Sequence, residues 1–247
     1  MISIERPHDD GLGYDVFGLH RPSVVRAVAA GKAPFERWFR VESRGHEHIP
    51  AHGAAILVAN HSGALPVDGA MLWLDVVRHT GRIPRPIADH FVAHLPLVRT
   101  AFARVGVVDG TVANVDRLLA RGELCAIFPE GTRGMVKRFR DRYHLQRWNL
   151  GHVELAIRHR APIVPVAIIG AEESWPLIAR LPVHPFGAPY VPVPLTPIPL
   201  PVPYHLRYGA PIDVGASDDP ETIALAGETV RAAVAALVDE TRRMRGA

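Results

Sequence analysis

The sequence predicts an α/β fold, a single-domain layered sandwich with a largely parallel central sheet flanked by helices. Two patterns predict it. Three apolar runs of strand length, residues 55–59, 124–128 and 163–169, are separated by segments whose apolar residues follow helical spacing. Each run ends in a polar or glycine-containing loop, and in parallel sheets ligands sit at those carboxyl ends. Composition agrees with this: 247 residues, 48% hydrophobic and 21% charged, are ample for one packed core and exclude a disordered chain. Unbroken apolar stretches such as 54–59 and 164–169 fall far short of the roughly 20 residues a spanning helix needs.

In chain order, residues 1–34 are expected as an N-terminal segment with a short helix, capped at Ser23 and stopped at Gly31, and 35–247 as the main domain. Residues 1–10 carry Glu5, Asp9 and Asp10 and no apolar stretch, so no secretory signal is expected and the protein is expected in the cytoplasm. Pro34 separates the first helix from residues 35–42, which lead into a strand. After the strand 55–59, Pro66 marks the first turn of a helix that Met71, Leu72 and Asp75 continue. Residues 112–120 read as a helix closed by Gly122 before the strand 124–128, and 153–157 as a helix before the β-branched strand 163–169, closed by Gly170. Residues 181–203 contain nine prolines among Leu, Val, Ile, Phe and Tyr, so they are extended and lie outside the central sheet. His205–Tyr208 is expected as a last strand. Pro220 opens a C-terminal helix, expected over 220–243, whose Ile223, Leu225, Val230, Val234, Leu237 and Val238 keep helical spacing and are expected to pack on the body.

The net charge of +3 and pI near 9.3 permit contact with phosphates or an anionic surface. All but two of the 28 basic residues are arginine, Lys32 and Lys137 being the exceptions, which indicates a general arginine bias and no dedicated basic patch. Cys125 is the single cysteine and sits in an apolar run, so it is expected as a buried, inert core residue.

Two segments carry chemistry. Residues 60–68 put His61 in a loop at a strand end and Asp68 near the third residue of the next helix. A carboxylate there is favoured by the helix N-terminus and can accept an imidazole N–H, leaving the second ring nitrogen free to take a proton from a hydroxyl. No Gly-x-Ser-x-Gly elbow occurs, and Ser62 adjoins His61, so that hydroxyl is expected on a substrate. The same residues also suit an ordinary loop and helix cap. In the second segment, Phe128 to Gly134, Gly131 and Gly134 let the backbone approach a ligand, while Thr132 and Arg133 offer donors to phosphate oxygens. Taken alone it is also a common glycine turn.

Together the segments resemble the glycerolipid and lysophospholipid acyltransferase family, whose signature is a His-x4-Asp block, then Phe-Pro-Glu-Gly-Thr-Arg, then an apolar Val-Pro-type strand, here Ala161-Pro162-Ile163-Val164-Pro165-Val166. The resemblance covers about residues 38–214. It implies an acyl-thioester donor, acyl-CoA or acyl carrier protein, with no bound cofactor or metal; His61 would be the base, Asp68 its orienter, and Glu130, Gly131, Thr132 and Arg133 the acceptor or phosphate site. The acceptor would be a hydroxyl of a lysophospholipid or other glycerolipid. The protein would work at the inner membrane face as a peripheral enzyme. Two departures stand out. His61 and Asp68 enclose six residues, with Pro66 at the usual aspartate position, a spacing shared with a branch of the family carrying His-Ser-Gly-x-Leu-Pro-x-Asp; Asp68 serves only if the loop 63–66 bulges. Residues 106–111 lack the arginine that many relatives use for the acceptor phosphate. An acyl thioesterase, or a non-catalytic lipid-binding protein on the same fold, would use the same residues.

Other features have plainer readings. His46, Glu47, His48 and His52 lack a metal-ligand set. Glu172 and Glu173, at the carboxyl end of the Val-Pro strand, read as a solvated turn or as part of the acceptor site, and Arg138, Arg140, Arg142 and Arg147 as a solvated face or a headgroup surface. Residues 181–203, with Phe186, Tyr190, Leu195, Ile198 and Leu200, and residues 24–39, with Trp38 beside Arg37 and Arg40, either cover the sheet or form an exposed apolar patch at a membrane.

Overall fold

The computed structural model describes residues 4–5, 9, 11–62, 65–135, 137 and 139–246, apart from the Phe186 side chain. Expectations for Gly63, Arg138, Phe186 and most of residues 1–10 therefore fall outside the described residues. The elements run α1 Arg21–Ala33, β1 Glu42–Arg44, β2 Ala55–Ala59, α2 Val67–Thr80, β3 Arg85–Ala88, α3 Val98–Arg104, β4 Val108–Asp109, α4 Val112–Ala120, β5 Leu124–Ile127, α5 Thr132–Met135, α6 Gly151–His159, β6 Ile163–Ile169, α7 Ala171–Ser174, β7 Leu177–Leu181, β8 Val191–Pro194, β9 His205–Tyr208 and α8 Pro220–Gly246.

Seven strands form one sheet in the order β1-β9-β6-β2-β5-β3-β4. From β6 to β4 every pairing is parallel; β9 joins β6 antiparallel, and β1 follows β9 in parallel. His205–Tyr208 is the last strand of the chain, as expected, and lies inside the sheet between β1 and β6. At the centre Leu57 faces Ala126 on one side and Val164 on the other. These strands are buried on both faces, which is why they read as unbroken apolar runs. Leu57, Val164 and Val166 pack with Met71, Leu72 and Val76 of α2, while Ile56, Cys125 and Ile163 pack with Leu118 of α4, Val153 of α6 and Val234 of α8. The result is three layers. Burial pushes the Cys125 thiol up to about 12, so it is an unreactive part of the second layer.

The first helix differs from expectation. It passes Gly31 and Ala33 and continues as a π-helical turn, Pro34–Trp38. Gly31 is a packing position and not a stop: a Cβ there would stand 2.6 Å from Leu74 Cδ1. Leu19 and Val24, within the expected N-terminal segment, share the core with the central strands. Arg85 of β3 is buried and pairs with Asp15 at 2.7 Å and Glu123 at 2.5 Å, which ties that segment to the sheet. Residues 181–203 lie off the central sheet, as expected, and contain a 3-10 turn at Pro185–Gly187 where only extended chain was expected; β8 within them pairs antiparallel with β7 as a separate ribbon.

His46 has partners that spacing did not reveal. Asp75 of α2 is buried and accepts hydrogen bonds from Ser43 Oγ at 2.7 Å, His46 Nε2 at 2.8 Å and Tyr208 OH at 2.7 Å, with His79 Nδ1 at 3.1 Å. The His46 and His79 rings stack at 4.1 Å, 15° from parallel. Burial alone would raise the Asp75 carboxyl, but its bonds to His46, His79, Ser43 and Tyr208 together hold it well below the usual carboxylate range. The hydrogen bond to Asp75 raises His79.

Two outcomes follow from this cluster. Asp75→Asn is expected to cost about 3–5 kcal/mol in urea denaturation at pH 7, because it strips the charge from a buried cluster and leaves its donors short of an acceptor. The His79 contribution is complete below its unfolded value of 6.5 and fades as pH rises through the raised folded value. The parent should therefore lose stability above pH 6.5 more steeply than His79→Gln; parallel pH profiles would refute this coupling.

Candidate active site

The carboxyl ends of β2, β5 and β6 lie side by side, and the loops leaving them converge. Asn60, the first residue after β2, donates from Nδ2 to Ile168 O at 2.9 Å and accepts from Ile168 N–H at 2.8 Å, a side-chain rung that locks this loop onto β6. His61 follows, buried except for about 9% of its side chain, and its Nδ1 is 2.7 Å from Asp68 Oδ2. Asp68 also accepts the N–H of Ser62 at 2.8 Å and of Gly69 at 2.7 Å, the last within the first turn of α2 where a carboxylate is favoured. The longer spacing therefore still closes the dyad, and the six intervening residues do not prevent it. The Phe128 ring lies against the imidazole, with centroids 4.4 Å apart. Among the described residues no group bonds His61 Nε2.

The second segment supports the first from below. Glu130 is buried; its Oε1 accepts the His61 N–H at 3.2 Å and its Oε2 the Gln146 N–H at 2.9 Å. Lys137 Nζ lies 3.3 Å from Glu130 Oε2 and 2.9 Å from Glu172 Oε1. Glu172 Oε2 in turn accepts the Tyr143 N–H at 2.7 Å, and the Tyr143 hydroxyl accepts the Gly170 N–H at 3.1 Å. Burial raises the Glu172 carboxyl and Lys137 opposes that rise. The ammonium thus joins the loops after β5 and β6, and Glu130 carries the link on to the loop after β2 through the His61 N–H.

Sequence reasoning located His61, Asp68, Glu130, Gly131, Thr132 and Arg133 on neighbouring loops, but the structure divides them. Arg133 is exposed, while the Glu130 oxygens are taken up by chain donors and so are not free for an acceptor. Gly131 adopts φ +54° in open space, whereas Gly134 approaches His61 itself: a Cβ there would lie 2.8 Å from His61 O. Glu172, read as part of a solvated turn, is instead buried on Lys137. Lys137, Tyr143 and Gln146 escaped sequence reasoning. The one signal for them was that Lys137 is one of two lysines in an arginine-rich chain.

Comparisons with known proteins place the chain. The sequence model of the Acyltransferase family matches residues 40–169, so the chain belongs to that family. An uncharacterized protein of Mycobacterium tuberculosis is 45% identical over 195 residues, covering 72% of this chain and 53% of that protein. The human "DGAT1/2-independent enzyme synthesizing storage lipids" is 28% identical over 216 residues, covering 85% of this chain and 64% of its own length. The chain thus spans about half the length of the mycobacterial relatives it matches. The crystal structure of the 1-acyl-sn-glycerophosphate (LPA) acyltransferase PlsC from Thermotoga maritima superposes with a TM-score of 0.60 at 20% identity, over 89% of this chain and 79% of that one, and shows the same fold.

Lys137→Met should leave Glu130 and Glu172 buried without a cation and cost about 3–5 kcal/mol in chemical denaturation. Adding Glu172→Gln should return part of that loss; a Lys137→Met protein as stable as the parent would show that the lysine anchors nothing.

Proposed function

We propose that this chain transfers an acyl group from an acyl thioester, coenzyme A or acyl carrier protein, to a hydroxyl of a glycerolipid. The observation that carries the reading is the His61–Asp68 contact of 2.7 Å at the end of a central parallel strand. Asp68 accepts the Nδ1 proton, which fixes the tautomer with an unprotonated Nε2. That nitrogen takes the acceptor's hydroxyl proton as the oxygen attacks the thioester carbonyl carbon. The tetrahedral adduct collapses with cleavage of the C–S bond, and the imidazolium returns its proton to the departing thiolate. A thiolate is a good leaving group, so a base suffices and no separate strong acid is required.

Glu130 acts in this scheme by holding the His61 backbone, and Arg133, exposed on the turn after β5 beside Gly131 and Thr132, pairs with a phosphate of donor or acceptor. An open apolar groove of about 520 Å³ reaches Val67, the residue before Asp68, and is lined by Trp38, Phe39, Ile198 and Pro199; it suits an acyl chain. The human relative's name, which speaks of storage lipids, and the lack of arginine in residues 106–111 favour an acceptor without a phosphate. Such acceptors reside in bilayers, so the reaction would run at a membrane surface, on the cytoplasmic side.

Labelled acyl-CoA incubated with lysophospholipids, monoacylglycerol and diacylglycerol should label one acylglycerol product; label released only as free fatty acid would instead support a thioesterase. His61→Ala is expected to cut kcat by about 10²–10⁴-fold, the worth of a general base, and Asp68→Asn to reduce it strongly through loss of the orienting charge. Full activity in His61→Ala would remove His61 as the base, whereas a parent that cleaves no thioester would favour the non-catalytic lipid-binding reading. Arg133→Ala should raise KM for the phosphate-bearing substrate more than it lowers kcat, the mark of lost uniform binding, and an unchanged KM for both substrates would remove that role.

A further inference from the structure

The ribbon β7–β8 leaves an apolar face without a partner. Ile178 is 61% exposed, Leu195 57% and Leu181 49%, although a two-stranded ribbon is marginal in water unless something covers it. It is nonetheless held firmly over the site face of the molecule. Its tip, the 3-10 turn Pro185–Gly187, packs on the 3-10 turn His90–His94, and Tyr190 OH donates to Thr132 O at 3.3 Å, in the turn that carries Arg133. Its return arm is pinned by Trp38 Nε1 donating to Pro199 O at 3.0 Å and by the Arg40 guanidinium donating to Pro201 O at 2.7 Å.

The covalent make-up of the ribbon fits one kind of covering. Each proline removes a backbone N–H, and nine prolines in 181–203 strip the segment of donors that would cost free energy away from water. Charge points the same way. Between Glu173 and Asp213 there is no acidic residue, while Arg180 on β7 and Arg37, Arg40 and Arg133 beside the ribbon are exposed. A second protein strand is a poor occupant on the β8 side, where Pro192 and Pro194 cannot donate to a ladder. We propose that the β7–β8 ribbon is an interfacial strap that seats the protein on an anionic phospholipid bilayer, apolar side chains in the headgroup boundary and arginines on lipid phosphates. The proposal rests on the acyl-transfer reading only for its purpose: seated this way, the loops bearing His61 and Arg133 face the surface from which a lipid acceptor enters.

Flotation with vesicles tests it without any assay of activity. The parent should float with phosphatidylcholine vesicles containing one third phosphatidylglycerol, less with phosphatidylcholine alone, and less in high salt. Ile178→Asp/Leu181→Asp/Leu195→Asp, with unchanged circular dichroism and Tm, should bind at least tenfold more weakly, and Arg180→Glu should lose mainly the preference for anionic lipid. A triple variant that floats like the parent overturns the proposal. So does a parent that does not float, or one whose ribbon face proves by light scattering to be buried in a dimer. A paired assay separates the two readings: with acyl-CoA and a monomeric short-chain monoacylglycerol the triple variant should keep the parent's kcat, and with vesicle-borne acceptor it should lose at least tenfold. Loss on the soluble acceptor too would overturn the strap, by making the ribbon part of the site itself. If the parent transfers acyl groups to neither acceptor, the acyl-transfer reading fails while flotation still decides the docking surface.

Discussion

Glu130 is the side chain on which the arrangement of the site depends. A carboxylate buried at the end of β5 needs partners, and it has the His61 N–H and the Gln146 N–H as hydrogen-bond donors and the Lys137 ammonium, 3.3 Å away, as its counter-charge. The first of these fixes the histidine backbone, the second the chain entering α6, and the third draws in Glu172 from the end of β6. A half-satisfied network of this kind would be worse than an apolar core, so its members stand or fall as a set. The histidine is thus positioned by charge and hydrogen bonding from beneath, and its ring is oriented by Asp68 from the side.

The parallel sheet makes this convergence possible. Because β2, β5 and β6 are neighbours and point the same way, their following loops leave at one edge, and Asn60 and Gly134 set the distances between them. Asn60 replaces a rung of backbone pairing where β2 has already ended. Gly134 permits two backbones to approach more closely than any side chain would allow. At other points of the fold the chain uses the same device of a buried charge with several partners: Arg85 ties the N-terminal segment to β3, and Asp75 ties α2 to β1 and β9.

A dyad with one nitrogen free, an exposed arginine beside it and an open apolar groove nearby together form a site short of enclosing walls. That openness is consistent with substrates whose long chains extend beyond the protein. The proline-rich ribbon then has a physical logic of its own, since its conformation is fixed by proline geometry and by bonds from Trp38, Arg40 and Tyr190 while its apolar side chains stay uncovered.

The sequence by itself determined the layered α/β class, the central strands and the placing of His61 after one strand and Asp68 in the first turn of the next helix, because apolar periodicity and local spacing are written into adjacent residues. It also carried the family, through three motifs in order. Only the tertiary structure decided the rest, because it turned on partners distant in the chain. Whether Asp68 could reach His61 across six residues depended on how the loop closed between β2 and α2. The role of Glu130 depended on Lys137 and on a backbone amide 69 residues away. Glu172 read as solvated because acidic residues after a strand usually are, and nothing local announced the lysine that buries it. Gly31 read as a helix stop, and Leu74 on another helix made it a contact instead. The exposed face of the ribbon was equally undecidable from composition, since apolar residues read alike whether a core covers them or not.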